Sequence, residues 1–218
     1  MTTATAAPDT APAPHSAEWL RAARLTKRLS WLSLFWLGVE GTVAIAAGIA
    51  SGSIALIAFG ADSAIEGMAS AVIIWRFSGS RLFSDRAERS AQLLVAIQFF
   101  LLAPFIVFEA SEALIAGGDI ETSHLGIGLT IATLAICQPI GYSKRPLGAR
   151  LNSRATVGEG TQNLLCGYMA LAVLGGLLAN ALFGLWWLDP IVALLIAGVA
   201  VREGRAALRG DDVCCSSC

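Results

Sequence analysis

Residues 54–75 read IALIAFGADSAIEGMASAVIIW, an apolar stretch of 22 residues that contains two carboxylates and no basic residue. A membrane-spanning helix needs about 20 predominantly apolar residues, so this stretch has the length and composition of one span. A carboxylate inside a span is energetically unfavourable and is a functional hypothesis by default. The stretch therefore indicates an all-α membrane protein with a site at Asp62 and Glu66.

The composition of the whole chain agrees with this interpretation. Of its 218 residues, 56% are hydrophobic and 14% are charged, and the mean hydropathy is +0.67. A soluble domain carries about 25% charged residues, so a water-soluble enzyme is close to excluded and no enzymatic activity is predicted. Six stretches have the length of a span, namely residues 31–50, 54–75, 93–116, 125–142, 164–183 and 185–201. The fifth helix is expected to begin earlier than its apolar stretch, near Ala155.

The basic residues are confined to alternate segments between these spans. All 15 Lys and Arg lie within residues 21–28, 76–89, 144–154 and 202–209. Because basic residues near span ends stay in the cytoplasm, both termini are predicted to be cytoplasmic, with the protein in a bacterial inner membrane. No predicted span contains a basic residue, so a buried Arg or Lys is not expected to neutralise Asp62 and Glu66.

The chain is predicted to have three parts. Residues 1–17 are rich in Ala, Thr and Pro and are expected to be a disordered tail. Residues 18–204 form the six-helix transmembrane domain, and residues 205–218 form a short Cys-rich cytoplasmic tail. Residues 18–29 either lie along the inner membrane surface or extend the first helix inward, and the sequence leaves both possibilities open.

Asp62 and Glu66 are four residues apart and therefore share one face of the second helix. Like charges at this spacing repel each other, so a proton or a cation is needed to neutralise the pair. Oxygen ligands that alternate between a proton and a divalent metal are the chemistry of an antiporter. Gln162 and Cys166 show the same spacing on the fifth helix, and two such pairs make a four-ligand tetrahedral site possible.

Other acidic and sulfur-containing side chains have plainer interpretations. Glu109 and Glu112 fall near the outer end of the third span, where they reach headgroups or water, or else line an exit path. Cys137 precedes Pro139 and is interpreted as packing beside a kink, since a lone buried Cys is usually inert.

Several stretches resemble the cation diffusion facilitator (cation efflux) family. Ser51-Gly52-Ser53 and Asp62-Ser63-Ala64-Ile65-Glu66 are similar to the Ser-Gly-Ser-rich turn and the Asp/His-x-x-x-Asp pair of that family's second helix. Residues 184–190 and 202–204 resemble its sixth helix and flanks, and the resemblance covers about residues 25–209. It implies six spans with both ends inside, and a divalent-cation/proton antiporter that exports zinc or a similar metal by alternating access.

The resemblance also implies a ligand set. Asp62 and Glu66 take the positions of the second-helix pair, and the family's His-x-x-x-Asp on the fifth helix falls on Gln162 and Cys166. Cys is a softer ligand than Asp, so the expected cargo is Zn²⁺, with Fe²⁺, Co²⁺ or Cd²⁺ as alternatives and no other cofactor. Accessory roles in proton transfer or cation access are assigned to Glu40, Glu159 and Asn163.

The C-terminal tail departs from the pattern of many family members. Residues 202–218 are too short for the cytoplasmic metal-binding domain that often follows the sixth helix. Cys214, Cys215 and Cys218 stand there instead, either as a capture site for a soft cation, as lipid-modified cysteines, or as a tail without a role. The expected partners are the bilayer, a divalent cation, a proton and a second copy in a homodimer, and no nucleic acid.

The sequence leaves two other functions open beside a proton-coupled metal exporter. One is a membrane metal sensor or regulatory protein that keeps the site without transporting. The other is a membrane thiol-redox enzyme that uses Cys166 with the tail cysteines, although no span contains a Cys-x-x-Cys motif.

Overall fold

Six long α-helices dominate the computed structural model of this protein, which describes residues 16–51, 54–116, 124–183 and 187–209. The helices are α1 (Ala17–Ser51), α2 (Ile54–Arg76), α3 (Asp85–Ala116), α4 (His124–Arg150), α5 (Arg154–Phe183) and α6 (Leu188–Arg209). A short 3₁₀ helix, Gly79–Phe83, joins α2 to α3. The described residues contain no strand, so the predicted all-α architecture with six helices is confirmed.

The helices extend past the predicted apolar stretches. The first begins at Ala17. Residues 18–29 therefore extend the first helix, which is one of the two alternatives that the sequence left open. The fifth begins at Arg154, close to the expected Ala155. The fourth runs eight residues beyond Tyr142 to Arg150. A helix does not end where its side chains become polar, because the hydrogen bonds that hold it join backbone groups.

Much of the outer surface of the bundle is apolar. Phe35, Phe108 and Leu195 are 69%, 58% and 66% exposed, as expected for side chains that face lipid. Two helical segments, Ala17–Ala47 and Asp85–Ile115, are long and apolar enough to cross a membrane, when the search is limited to the described residues. Length and composition are a weak criterion by themselves, since the core helix of a soluble protein also meets it.

The segments that carry the basic residues meet at one end of the bundle, which we call the basic end. Trp19 at the start of α1 packs against Phe77 and Phe83, with ring centroids 6.4 and 5.4 Å apart. Gln92 near the start of α3 donates a hydrogen bond to the carbonyl of Ala207 near the end of α6. These contacts bring the starts of α1 and α3 beside the ends of α2 and α6.

An ion pair adds α5 to the basic end. Arg76, the last residue of α2, lies 2.7 Å from Glu88 of α3. Glu88 also accepts hydrogen bonds from the Ser153 hydroxyl at 3.0 Å and from the Ala155 N–H at 3.2 Å, at the start of α5. A carboxylate with several partners at a helix start satisfies N–H groups that the helix itself leaves open.

Glycines allow close approach of neighbouring helices, among them α1 with α2 and α4 with α5. A Cβ added to Gly60 of α2 would lie 2.5 Å from the Ile45 side chain and 2.8 Å from the Gly41 carbonyl oxygen, both on α1. A Cβ added to Gly141 of α4 would lie 2.9 Å from the Gly160 carbonyl oxygen on α5. Small residues at such positions let helix backbones pack tightly.

Gly60→Ala is therefore expected to destabilise the protein by about 1–3 kcal/mol, because the added methyl group has no space against α1. Thermal unfolding of the detergent-solubilised protein measures this. Gly38→Ala on α1 is the matched control, since a Cβ there meets no atom of the described residues within 4 Å. Ala favours a helix over Gly by up to about 1 kcal/mol, so the control is expected to be neutral or stabilising. Equal unfolding temperatures for the two variants would contradict the close α1–α2 approach.

Candidate metal site

Each of two carboxylates on α2 has a buried oxygen atom without a partner among the described residues. Glu66 is 4% exposed, and its Oε2 atom and Oδ1 of Asp62 find no hydrogen-bond partner within the described parts of the chain. The two side chains, one turn apart, interact electrostatically as like charges. An unpaired charge in the interior is destabilising by several kcal/mol, so these oxygens require a proton or a cation.

Of the two predicted donors on α5, Cys166 contacts the α2 pair. The Cys166 thiol donates a hydrogen bond to the Glu66 carboxylate, which joins α5 to α2 at this point. Gln162 is 1% exposed, and neither its Oε1 nor its Nε2 atom has a partner among residues that the structure describes. A buried amide without partners is unfavourable by about 1–3 kcal/mol per group. The structure thus brings Glu66 and Cys166 together and leaves Gln162 with unused donor and acceptor atoms.

These side chains are not closed around a common point. Within residues 16–51, 54–116, 124–183 and 187–209, no group of three or more His, Cys, Asp or Glu has the arrangement of a metal site. The contacts are pairwise, between Asp62 and Glu66 and between Glu66 and Cys166. Three of the four predicted ligands, Asp62, Glu66 and Cys166, are therefore present as neighbouring pairs.

A cysteine on a third helix reaches the same place. Cys137 of α4 is 1% exposed, its side chain forms a hydrogen bond with Cys166, and it interacts electrostatically with Glu66. Both cysteines are free thiols. The sequence reasoning missed this contact because the two positions lie on separate helices, and no local pattern relates one helix to the other.

Glu109 on α3 also lies closer to the pair than its place near the end of a span suggested. It is partly exposed and interacts electrostatically with Asp62. Glu112, almost one turn further along α3, is exposed. The two glutamates are therefore not equivalent, and only Glu109 adds its charge to the field at Asp62.

Glu40 of α1 is a fully buried carboxylate with partners on two other helices. It accepts hydrogen bonds from Ser63 of α2, at 3.3 Å, and from Thr133 of α4. It also interacts electrostatically with Asp62 and Glu66. Both of its oxygen atoms are thus held by hydroxyl groups, so Glu40 is a fixed acid beside the α2 pair.

A buried ion pair lies between this cluster and the basic end. Lys144 of α4 is fully buried, and its ammonium group donates three hydrogen bonds: to Glu159 at 2.6 Å, Ser33 at 2.8 Å and Asn163 at 3.3 Å. The second carboxylate oxygen of Glu159 accepts a hydrogen bond from Ser30 at 2.8 Å. Every N–H of the ammonium group is used, so this network joins α1, α4 and α5.

The sequence predicted that no buried Arg or Lys neutralises Asp62 and Glu66. Lys144 is nevertheless buried, because α4 continues past its apolar stretch, and it pairs with Glu159 of α5 instead of the α2 carboxylates. Glu159 is thus occupied as the partner of a cation, and Asn163 supports the same ammonium group. The charge of Lys144 is compensated by Glu159, and the α2 carboxylates keep oxygens that have no partner among the residues the structure describes.

Several predicted features lie outside the described residues. They are Cys214, Cys215 and Cys218 of the proposed capture site, and residues 1–15 of the predicted N-terminal tail.

The family model described as the cation efflux transmembrane domain matches residues 30–209. This chain belongs to the cation efflux family. The match confirms the resemblance seen in the sequence and makes the protein a membrane-embedded cation transporter. Members of the family are transporters and not enzymes, in agreement with the absence of a predicted enzymatic activity.

Two relatives show how far the similarity extends. The chain is 26% identical over 196 residues to transmembrane protein 163 of Xenopus laevis, with 88% of this chain and 68% of that protein covered. It is 25% identical over 167 residues to the uncharacterized transporter sll1263 of Synechocystis sp., with 73% of this chain and 54% of that protein covered. The chain thus spans about half the length of the second relative.

Lys144→Met is expected to destabilise the protein by about 3–5 kcal/mol, because it leaves Glu159 as a buried unpaired charge. The Lys144→Met/Glu159→Gln double variant is expected to recover much of that loss. Thermal unfolding in detergent measures both. Arg145→Met is the matched control, since Arg145 is the next residue and is exposed, and it is expected to change stability by about 0.5 kcal/mol or less. Additive effects of the two substitutions would argue against a coupled pair.

Proposed function

We propose that this protein exports a divalent transition-metal cation, zinc foremost, from the cytoplasm in exchange for protons. The observation that carries the proposal is the Asp62–Glu66 pair, with buried oxygens that have no partner within the described chain. Two adjacent carboxylates in an apolar interior are stable only when their charge is neutralised. A pair that is loaded alternately with a proton and with a metal ion couples the movements of the two.

The donors next to the pair favour a transition metal as the cargo. The proposed ligands are Asp62, Glu66, Gln162 and Cys166, which supply carboxylate, amide and thiolate donors from α2 and α5. Four ligands of mixed oxygen and sulfur character suit tetrahedral Zn²⁺. Mg²⁺ and Ca²⁺ prefer sites made of oxygen alone.

The groups around the pair have distinct proposed roles. Glu40, held by Ser63 and Thr133, keeps an acid in position to exchange protons with the site. The Lys144–Glu159 pair blocks the access of a cation to the site between α1, α4 and α5, on the side of the basic end, in this conformation. Basic segments stay in the cytoplasm, so we place the basic end at the cytoplasmic face of a bacterial inner membrane.

Purified protein in proteoliposomes with an imposed pH gradient tests this function. Wild type is expected to move Zn²⁺ against its gradient at the expense of the proton gradient, and Asp62→Asn or Glu66→Gln is expected to abolish that flux. Glu112→Gln is the matched control, because it removes an exposed carboxylate that lies outside the cluster, and it is expected to transport like wild type.

Other results would point elsewhere. Undiminished flux in Asp62→Asn and Glu66→Gln would overturn the proposed site. Stoichiometric metal binding by wild type without flux would favour a sensor. Thiol oxidation or reduction that survives Asp62→Asn but is lost in Cys166→Ser would favour a redox enzyme.

A further inference from the structure

We propose that Cys137 is a further ligand of the transported cation, which makes the site a two-thiolate site for thiophilic divalent cations such as Zn²⁺ and Cd²⁺. This inference rests on the proposed function. It adds a donor on α4 to a site otherwise built from α2 and α5, and it narrows the class of cargo.

Three donor side chains, one from each of α4, α5 and α2, form a chain of contacts. The Cys137 side chain forms a hydrogen bond with that of Cys166, and Cys166 forms one with Glu66. Their exposed fractions are 1%, 9% and 4%, so they are shielded from solvent together. Glu66 keeps Oε2 without a partner in the described chain, which leaves a donor atom beside the thiols for a ligand.

The backbone packing of α4 on α5 places the two thiols opposite each other. Just after Cys166 on α5, a Cβ added to Gly167 would lie 2.7 Å from the side chain of Gln138, the residue that follows Cys137. Before Cys166 on α5, the carbonyl oxygen of Gly160 lies 2.9 Å from a Cβ added to Gly141, one turn after Cys137. Helices that make close contacts on both sides of Cys166 and within one turn after Cys137 have little freedom to slide, so the meeting of Cys137 and Cys166 is a property of the fold.

Pro139 lies inside α4, two residues after Cys137. Pro139 has no N–H to donate to the carbonyl of Ala135, so one helical hydrogen bond is missing at this turn. The Oε1 atom of Gln138 is buried and also lacks a partner among the described residues. A helical turn with a missing hydrogen bond bends locally at lower energetic cost, and the donors, which touch in pairs, must close around a cation when it binds.

The chemistry of two thiols sets the selectivity. On binding, each S–H bond breaks, a sulfur–metal bond forms, and the proton is released. Thiolates favour zinc and similar soft cations, whereas carboxylates and carbonyls suit Mg²⁺, Ca²⁺ and Mn²⁺. A second thiolate therefore raises the preference for Cd²⁺ and Zn²⁺ over Mn²⁺.

The test uses the full chain with Cys214, Cys215 and Cys218 replaced by Ser, so that Cys137 and Cys166 are the two remaining thiols of the five in the sequence. Bound Co²⁺ gives a thiolate-to-metal charge-transfer absorption whose intensity follows the number of thiolate ligands. Cys137→Ser and Cys166→Ser are each expected to halve this intensity, and the double variant is expected to abolish it.

Transport provides a second readout in the same background. The ratio of Cd²⁺ to Mn²⁺ flux into proteoliposomes is expected to fall at least about tenfold in Cys137→Ser, since even residues that only support a metal ligand change affinity by about 10–100-fold. Cys137→Asp, which keeps an anionic donor but removes the sulfur, is expected to shift the ratio further toward Mn²⁺.

A third measurement leaves both cysteines in place. Mild oxidation with diamide is expected to join Cys137 to Cys166, which intact mass detects as the loss of two hydrogens. Bound Cd²⁺ is expected to prevent this reaction, and Mn²⁺ is not. This measurement decides the question if the Cys137 variants fail to fold.

Full charge-transfer intensity and an unchanged flux ratio in Cys137→Ser would overturn the inference, as would disulfide formation that Cd²⁺ does not slow. Asp62→Asn in the same assay separates this failure from that of the proposed function. If Asp62→Asn loses flux and Cys137→Ser changes neither the flux ratio nor the charge-transfer intensity, the protein is an exporter whose site excludes Cys137. Undiminished flux in Asp62→Asn would remove the proposed function itself.

Discussion

A single buried ion pair governs how three of the six helices meet. Lys144 places its ammonium group among Glu159, Ser33 and Asn163, which belong to α5 and α1. Removal of either charge leaves the other unpaired in the interior, a loss of several kcal/mol. One mutual arrangement of α1, α4 and α5 is therefore strongly favoured. Because Thr133 and Cys137 lie on the same helix as Lys144, that arrangement also decides which side chains they meet.

The buried charges of this protein fall into two classes. Lys144 and Glu159 satisfy each other, and Glu40 is held by two hydroxyl groups. Asp62 and Glu66 keep oxygen atoms with no partner in the part of the chain that the structure describes. Water cannot supply the missing partners inside a bilayer. The first class therefore stabilises the fold. The second class offers oxygen donors for the cation that members of the family transport.

Local patterns predicted some of these features well. The apolar stretches located six helices, and the four-residue spacing placed Asp62 and Glu66 on one face of α2. The burial of Lys144 could not be predicted in this way, because hydropathy ends the fourth span at Tyr142 and the partner is fifteen residues further along the chain. The proximity of Glu109 to Asp62 was missed for a similar reason, since it depends on how α3 turns toward α2.

The sequence by itself determined the all-helical class and the carboxylate pair, because apolar composition and a four-residue spacing are properties of continuous segments, and it indicated the family through short motifs that resemble the family's own. Only the tertiary structure decided that Cys137 meets Cys166, that Glu40 is held by Ser63 and Thr133, and that Glu159 is paired with a lysine. Each of these is a contact between side chains on different helices. They follow from glycine contacts and buried ion pairing between segments far apart in the chain, which no single segment encodes.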